Sequence, residues 1–436
     1  MMTDPSRFDR LTQAFRRAID ARLQPPYLRL VSVALLVVGA VMLSVSFATS
    51  DRGRTLFGPP LGNDFAGFYV AAQILERGET SQLYDRALHD ELYHELLPKL
   101  DQGDSIPYVH PPFVAGVLRP LTLIRYESAV AIWLVISAGM YVAGAWLLLR
   151  SSPDLAKDHF GLVILLSLSF EPFLMECWLG GQLSAVGFLS YALAWFAFSR
   201  NRPLAAGMAL GLCFYKPTLL LLMLPLLVIG RCWRMLLGMT ITGVVLAGLS
   251  LAFVGWDVSV GYLDVLLSFR RSTSGGGLGI LTWKYVDLNN TLRLLCGGKS
   301  SAQLFVFVVL SLIPFSLLAK AWWRWPRSEM NHRQRLWAAS LAWVPILNLY
   351  VGIYDSILVV QSAVLAADFV LRDRRSESPL THSGLAYWLL GVATTAWFSQ
   401  GLARVSGVQA FTLALIGLGF FLLRRTNLNN TATIER

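Results

Sequence analysis

The sequence predicts an all-α polytopic membrane protein, and three observations lead to this fold class. Of the 436 residues, 55% are apolar and only 15% are charged, whereas globular chains carry roughly 25% charged residues. The mean hydropathy is +0.53, and a soluble protein has too little interior to bury that much apolar surface, so lipid must cover part of it. The net charge of +10 falls mainly in short segments between apolar runs. There it sets topology, and we expect no nucleic-acid partner.

Membrane spans are predicted where about 20 consecutive residues are predominantly apolar, because such a helix crosses the hydrocarbon core. The full-length candidates are residues 30–49, 128–149, 159–178, 182–199, 235–254, 302–321, 353–371, 384–399 and 406–423. The shorter candidates are residues 203–215, 217–230 and 336–350. Together they predict about twelve membrane-embedded helices in a single transmembrane domain, residues 30–425.

The stretch 203–230 decides the topology. As one crossing, it would leave Arg231 and Arg234 outside and invert every later loop. As two short helices broken at Lys216 and Pro217, it keeps the arginines on both sides of the stretch in the cytoplasm. Proline breaks helices and basic residues favour the cytoplasmic side, so we predict the broken hairpin.

This topology places both chain ends in the cytoplasm, as a basic tail over residues 1–29 and a short tail over residues 426–436. Two larger hydrophilic loops, roughly 50–127 and 255–301, then lie on the outer face of the cell inner (plasma) membrane. Most of the unusual polar groups collect on that face, at the ends of spans. A pump or channel would be expected to carry ionisable residues at mid-span, so this distribution favours chemistry at the outer surface.

Asp64 is the candidate general base of the first outer loop. It lies just after the first predicted span and just before an amphipathic helical stretch over residues 66–77. A carboxylate at a membrane-proximal rim is where a base for a lipid-linked substrate must sit. Asp also favours the N-cap position of a helix, and the sequence leaves both interpretations open.

Three other polar residues also have a structural and a functional interpretation. Lys216 lies between apolar segments and needs an anionic partner or a route to water. It is either the ion-pair partner of Asp64, Glu176 or Asp355, or a ligand of a phosphate group. Asp355 has the same two alternatives in reverse. His110 is either a hydrogen-bonded residue at a span entrance or a catalytic group.

Residue spacing argues against two kinds of site and leaves a third open. The Gly-rich segment 272–279 lacks the spacing of a nucleotide-binding P-loop. Arg270 and Arg271 precede it and make the segment a candidate for binding an anionic head group, with an ordinary linker as the alternative. No C-x-x-C pair or regular spacing that would indicate a metal site or a disulfide framework occurs among the cysteines, which are Cys177, Cys213, Cys232 and Cys296.

An ordered set of short motifs over roughly residues 60–370 resembles glycosyltransferase family 87, polytopic enzymes of the GT-C type that use polyprenyl-phosphate sugars. Each motif is short, and the set is specific through its order and through the position of each motif at the outer end of a span. The motifs are Asn63-Asp64-Phe65 with Tyr69, Ala72, Gly78 and Tyr84-Asp85, Tyr108 to Pro112 with Pro120, Gly181-Gln182, Ala206-Gly207 with Gly211, Lys216-Pro217, Asn289-Asn290-Thr291 and Tyr354-Asp355.

The resemblance implies a GT-C-like fold that transfers a hexose, typically mannose, from a polyprenyl-phosphate sugar to a glycan or glycolipid acceptor on the outer face. It implies a direct inverting displacement with Asp64 as the base. We expect no cofactor and assign no metal-binding residue. Lys216, followed by Arg270 or Arg271, is expected to stabilise the departing phosphate. The expected substrate-binding residues are Asn63, His110, Gln182, Asn289, Asn290, Tyr354 and Asp355.

The alternative function is a transporter or flippase of polyprenyl-linked envelope intermediates. Such a protein would share the many spans and the basic outer cavity, but it needs a site that opens to both faces of the membrane. The clean apolar character of most predicted spans argues against it. A catalytically inactive scaffold for envelope assembly is a third interpretation.

Overall fold

The computed structural model describes residues 20, 22–51, 54–100, 105–272, 282–298, 300–372 and 379–432. Within these ranges the chain forms helices and no β-strand, which confirms the predicted all-α class. The α-helices are α1 Pro25–Thr49, α2 Phe65–Glu76, α3 Arg86–Leu96, α4 Pro112–Leu118, α5 Tyr126–Arg150, α6 Pro153–Leu168, α7 Ser184–Phe198, α8 Pro203–Gly211, α9 Met223–Ile229, α10 Trp233–Ser272, α11 Leu288–Leu295, α12 Ser301–Trp322, α13 Met330–Trp343, α14 Leu358–Arg372, α15 Pro379–Ser406 and α16 Ala410–Ala432. A π-helical segment, Pro172–Leu179, follows α6.

A helix overlaps every predicted span, but the bounds and lengths differ: the helix within 336–350, for example, ends at Trp343. Among the described residues, five helices are long and apolar enough to cross a membrane: Pro25–Thr49, Tyr126–Arg150, Trp233–Leu267, Ser301–Arg327 and Ile353–Arg372. The pair formed by α6 and the π-helical segment is also apolar enough, with a bend of 53° between the two parts, and it brings the number to six if it is counted as one span. The other apolar helices are shorter than a full crossing, so the number of twelve stays a prediction.

The predicted break at Lys216 is present. Its backbone is not helical (φ −143, ψ 82), and it separates the 3-10 segments Leu212–Tyr215 and Pro217–Leu220. The chain then returns through α9 and starts α10 beside the start of α8, because Gly207 of α8 lies against Met235 of α10. The residues before α8 and those at the start of α10 therefore lie at the same end of the bundle, as the hairpin requires.

Close contact between α8 and α10 depends on glycine. A Cβ atom at Gly238 of α10 would overlap the carbonyl oxygen of Leu204 in α8, and one at Gly207 would overlap the carbonyl of Met235. Small residues at such positions let two helix backbones pack directly, which is how helices associate inside a membrane. This packing fixes the hairpin and, with it, the position of Lys216.

A buried aspartate lies near each end of α14. At one end, Asp368 accepts hydrogen bonds from the backbone N–H groups of Asp154 (3.0 Å) and Leu155 (3.1 Å), which satisfies the first turn of α6. Arg372 binds the other carboxylate oxygen of Asp368 at 2.7 Å. Asp355 lies about 20 Å away along the helix axis, at the end of the bundle that also carries Asp64.

We expect Gly238→Ala to destabilise the bundle, because the added Cβ overlaps the backbone of α8; overpacking of this kind costs about 1–3 kcal/mol. The measurement is the melting temperature of the detergent-solubilised protein. The matched control is Gly248→Ala in the same helix, where a Cβ meets no atom within 4 Å. Equal melting temperatures for the two variants would contradict the close packing of α8 on α10.

Candidate active site

Asp64 lies where two tight turns meet. The first turn precedes α2 and has left-handed backbone at Gly62 (φ 71) and Asn63 (φ 36). The backbone N–H of Asp64 donates to the carbonyl of Gly180 in the second turn, at 3.1 Å. A side chain at Gly181 (φ 68) would overlap the carbonyl oxygen of Gly62. Only glycine therefore lets the two turns approach each other this closely.

The Asp64 side chain does not cap α2. It makes no capping hydrogen bond, and its Oδ2 instead accepts a hydrogen bond from Nε2 of Gln182. Asp85 provides the contrast, because its side chain caps α3 by accepting from the N–H groups of Ala87 (2.8 Å) and Leu88 (3.1 Å). Of the two interpretations left open by the sequence, the structure removes the N-cap for Asp64.

The surroundings of Asp64 make its carboxyl group a weaker acid than that of an ordinary aspartate. Burial raises the pKa of Asp64 to about 6. The positive charge of Lys284 is the strongest influence in the opposite direction, and the negative charge of Glu176 raises the pKa further. The hydrogen bond from Gln182 and the charge of Lys216 lower it. A carboxylate with a pKa close to neutral pH has the property that a general base needs.

Lys216 and Asp355 form a buried ion pair. The ammonium group of Lys216 binds Oδ2 of Asp355, and the two side chains are 15% and 0% exposed. Ser184 Oγ donates to the other carboxylate oxygen at 2.7 Å, and the ring of Tyr354 lies 4.7 Å from the ammonium nitrogen. The sequence left three carboxylates as partners for Lys216, and the structure selects Asp355.

His110 is held beside this ion pair in its neutral form. Its Nδ1 is 3.0 Å from the carbonyl oxygen of Tyr215. Because a carbonyl can only accept, Nδ1 carries the proton and Nε2 carries a lone pair. Burial lowers the pKa of His110 to about 4; the hydrogen bond opposes this effect and the charge of Lys216 adds to it. Phe68 packs on the imidazole at 5.1 Å.

Lys284 is a cation of this site that the sequence analysis missed. The Nε2 of Gln409, just before α16, donates to the carbonyls of Trp283 (2.8 Å) and Tyr285 (3.2 Å), the residues on either side of Lys284. These contacts fix the end of the second hydrophilic loop against the start of α16, and the charge of Lys284 lowers the pKa of Asp64. Lys284 carries no sequence motif, and only the fold reveals its position.

Asn289 and Asn290 both bind protein groups. Asn289 donates to the carbonyl of Leu349 at 3.1 Å and accepts from Gln303 at 3.1 Å. Asn290 donates to the buried carboxylate of Asp287 at 2.8 Å. These hydrogen bonds hold both amides in place, and their expected contact with substrate stays a prediction.

Asp287 joins two loops that carry tyrosines of the site. Its carboxylate accepts a hydrogen bond from the backbone N–H of Val351 at 2.9 Å, and burial raises the pKa of Asp287 to about 6. The hydroxyl groups of Tyr285 and Tyr350 meet beside this junction. Both tyrosines interact electrostatically with Asp64, so the two loops lie on the same side of the bundle as this carboxylate.

The predicted roles of Arg270 and Arg271 concern side chains that the structure does not describe, although both residues lie at the end of α10. The Gly-rich segment from residue 273 to residue 279 also lies outside the described residues. Among the described residues, no group of three or more His, Cys, Asp or Glu side chains is arranged to hold a metal ion.

Comparisons with known proteins give one result. The family model for glycosyltransferase family 87 matches residues 108–349, more than half of the chain. The matched region includes His110, Gln182 and Lys216, whereas Asp64 precedes it and Asp355 follows it. Neither the curated proteins nor the solved structures contain a match.

The Lys216–Asp355 ion pair can be tested by comparing the melting temperatures of a single and a double variant. Lys216→Met leaves the Asp355 carboxylate buried without its cation, and such an uncompensated charge costs about 3–5 kcal/mol. Adding Asp355→Asn removes that charge, so the double variant should melt well above the Lys216→Met single variant in detergent. Identical melting temperatures for the single and the double variant would show that the ion pair does not form.

Proposed function

Because the chain belongs to glycosyltransferase family 87 and is thus a membrane glycosyltransferase, we propose that it transfers a hexose from a polyprenyl-phosphate sugar to a glycan or glycolipid acceptor. We place the reaction on the outer face of the plasma membrane and take mannose as the first hexose to test. Family membership favours this enzyme over the transporter alternative.

The observation that carries the proposal is the state of the Asp64 carboxylate. It caps no helix, its pKa is raised to about 6, and it lies among two lysines and several tyrosines at one end of the bundle. A structural aspartate would be committed to a helix cap or a salt bridge. This one is held by the neutral amide of Gln182 and stays basic.

The proposed step is a single displacement. The acceptor hydroxyl oxygen attacks the anomeric carbon of the sugar while its proton moves to Asp64. The bond between the anomeric carbon and the phosphate oxygen breaks, and the polyprenyl phosphate leaves with the electron pair. Attack from the face opposite the leaving group inverts the anomeric configuration. The negative charge that develops on the phosphate is the main electrostatic demand of the step.

Two lysines suit the departing phosphate. Lys216 was the expected ligand. Its ammonium is already bound to Asp355, and the negative charge of that carboxylate weakens its attraction for the phosphate. Lys284 is the cation whose charge acts most strongly on Asp64, and we add it to the phosphate-binding set. Arg270 and Arg271 remain candidates of the second loop.

The structure changes the order of the reserve bases. Asp355 was the second choice, but its two oxygens are bound by Lys216 and Ser184. His110 is neutral, and its Nε2 carries a lone pair near Lys216. If Asp64 is not the base, His110 is therefore the next candidate.

Asp64→Asn is the direct test of the proposal. Loss of general-base catalysis typically lowers the rate about 10²–10⁴-fold, so we expect almost no radiolabel to pass from polyprenyl-phosphate mannose into membrane glycans. The melting temperature should be unchanged or higher, because the variant removes a partly buried charge and keeps an acceptor for Gln182.

The matched control is Asp85→Asn. It makes the same chemical change in the same loop, and Asn caps a helix about as well as Asp, so transfer should stay near the wild-type rate. An Asp64→Asn variant that retains most of the wild-type rate would remove Asp64 from the mechanism and shift the assignment to His110.

The raised pKa also predicts the pH profile. Asp64 can accept a proton only when it is ionised, so kcat/KM for the donor should rise with pH and level off above about 6, the pKa to which burial raises this carboxyl. The residual activity of Asp64→Asn should lack this rise. A wild-type profile that is flat between pH 5 and pH 7 would assign the base role to a different group.

A further inference from the structure

A second polar cluster lies beside Asp64 and has no role in the mechanism above. It contains Glu171, Glu176 and Gln400, which come from distant parts of the chain. Gln400 of α15 donates from Nε2 to Glu176 Oε1 at 2.7 Å and to Glu171 Oε1 at 3.4 Å. Glu171 directly precedes the π-helical segment Pro172–Leu179, and Glu176 lies within it. We call these three residues the Glu–Glu–Gln cluster.

The π-helical segment is what brings the two glutamates together. A π-helix bonds residues five apart in sequence, so positions 171 and 176 lie nearly above one another, whereas in an α-helix they would point to different sides. π-Helical segments are rare and are frequently found at functional sites. The local structure therefore presents two carboxyl groups to one space.

The cluster is incomplete without a ligand. Glu171 is 5% exposed, and among the described residues nothing donates a hydrogen bond to its Oε2. A buried polar atom without a partner costs free energy. Ionisable side chains within membrane-embedded helices are retained mostly for function. The unsatisfied oxygen points to a missing hydrogen-bond donor.

The chemistry of the cluster selects the class of ligand. Two carboxyl groups repel phosphate, so the charged part of a donor is excluded. Hydroxyl groups fit, because they can donate to the unpartnered Oε2 of Glu171 and to the amide oxygen of Gln400. The cluster is also coupled electrostatically to the base. The negative charge of Glu176 interacts with Asp64, and the positive charge of Lys284 interacts with both Asp64 and Glu171.

We infer that Glu171, Glu176 and Gln400 bind the ring hydroxyl groups of the sugar carried by the lipid-linked donor. This inference rests on the proposed function. The cluster belongs to helices that coincide with the predicted spans 159–178 and 384–399, and not to the outer loops. It therefore meets the substrate that is delivered from the lipid. The charge of Lys284 acts on both Asp64 and Glu171, so this cation is near enough to both to meet the phosphate of the same donor.

The test compares polyprenyl-phosphate mannose with its monodeoxy analogues, using membrane glycans as the acceptor. In the wild type, deleting a hydroxyl that the cluster binds should lower kcat/KM about 10- to 100-fold, the range for hydrogen bonds to charged groups. Glu176→Ala and Gln400→Ala should lose a similar factor on the complete donor. Each variant should no longer distinguish that donor from one monodeoxy analogue, because the contact is already gone.

Two further variants keep the experiment decisive. Glu171→Gln is isosteric and preserves the fold if alanine at 176 or 400 does not, and it should weaken the same discrimination. Glu127→Gln, an exposed glutamate at the start of α5, is the control and should discriminate like the wild type.

The outcomes separate the two hypotheses. If each variant lowers the rate equally on every donor, or leaves donor discrimination unchanged, the cluster does not bind the donor sugar and this inference is wrong. If the wild type transfers nothing from complete polyprenyl-phosphate mannose or another polyprenyl-phosphate hexose, the proposed function itself is wrong.

Discussion

The contact between the turn at residues 62–64 and the turn at residues 180–182 determines the candidate site. It joins the first hydrophilic loop to the end of the π-helical segment through one backbone hydrogen bond, from Asp64 to Gly180, and one side-chain hydrogen bond, from Gln182 to Asp64. Both turns use left-handed backbone, which glycine and asparagine adopt most readily. Because its carboxylate is bound at this contact, Asp64 is partly buried, and burial is the largest cause of its raised pKa.

The charged side chains around that contact fall into two groups, the cations Lys216 and Lys284 and the carboxyl groups beside Gln400. Asp355 neutralises Lys216 in a buried pair, while Lys284 acts on Asp64 and on Glu171 without a comparably close carboxylate among the described residues. This arrangement suits a substrate that has an anionic phosphate at one end of its reacting bond and a hydroxyl-rich ring at the other. Cations near the leaving group stabilise developing charge, and carboxyl groups near the ring bind hydroxyls. One end of the bundle thereby provides both environments.

The sequence predicts which polar residues share one side of the bundle, because the topology assigns each end of a span to one of the two faces. This reasoning identified Asp64, Gln182 and Asp355, as well as the chain break at Lys216. It could not choose between an N-cap and a base for Asp64, since both fit the same sequence position. It also missed Lys284 and the cluster with Gln400, because contacts made across more than two hundred residues, and the π-helical register, leave no periodic signal. The number of membrane crossings stays a prediction, because the length and composition of a short apolar helix do not show how far it reaches into the membrane.

The central claim is a single displacement at the anomeric carbon, with the acceptor proton taken by Asp64. The most direct measurement is the anomeric configuration of the product, from the one-bond carbon–hydrogen coupling at the anomeric centre, after transfer by the purified protein from a donor of known configuration. The account predicts a product with the opposite configuration to the donor. A product that retains the donor configuration would contradict it, because retention requires either a second displacement or attack from the leaving-group side.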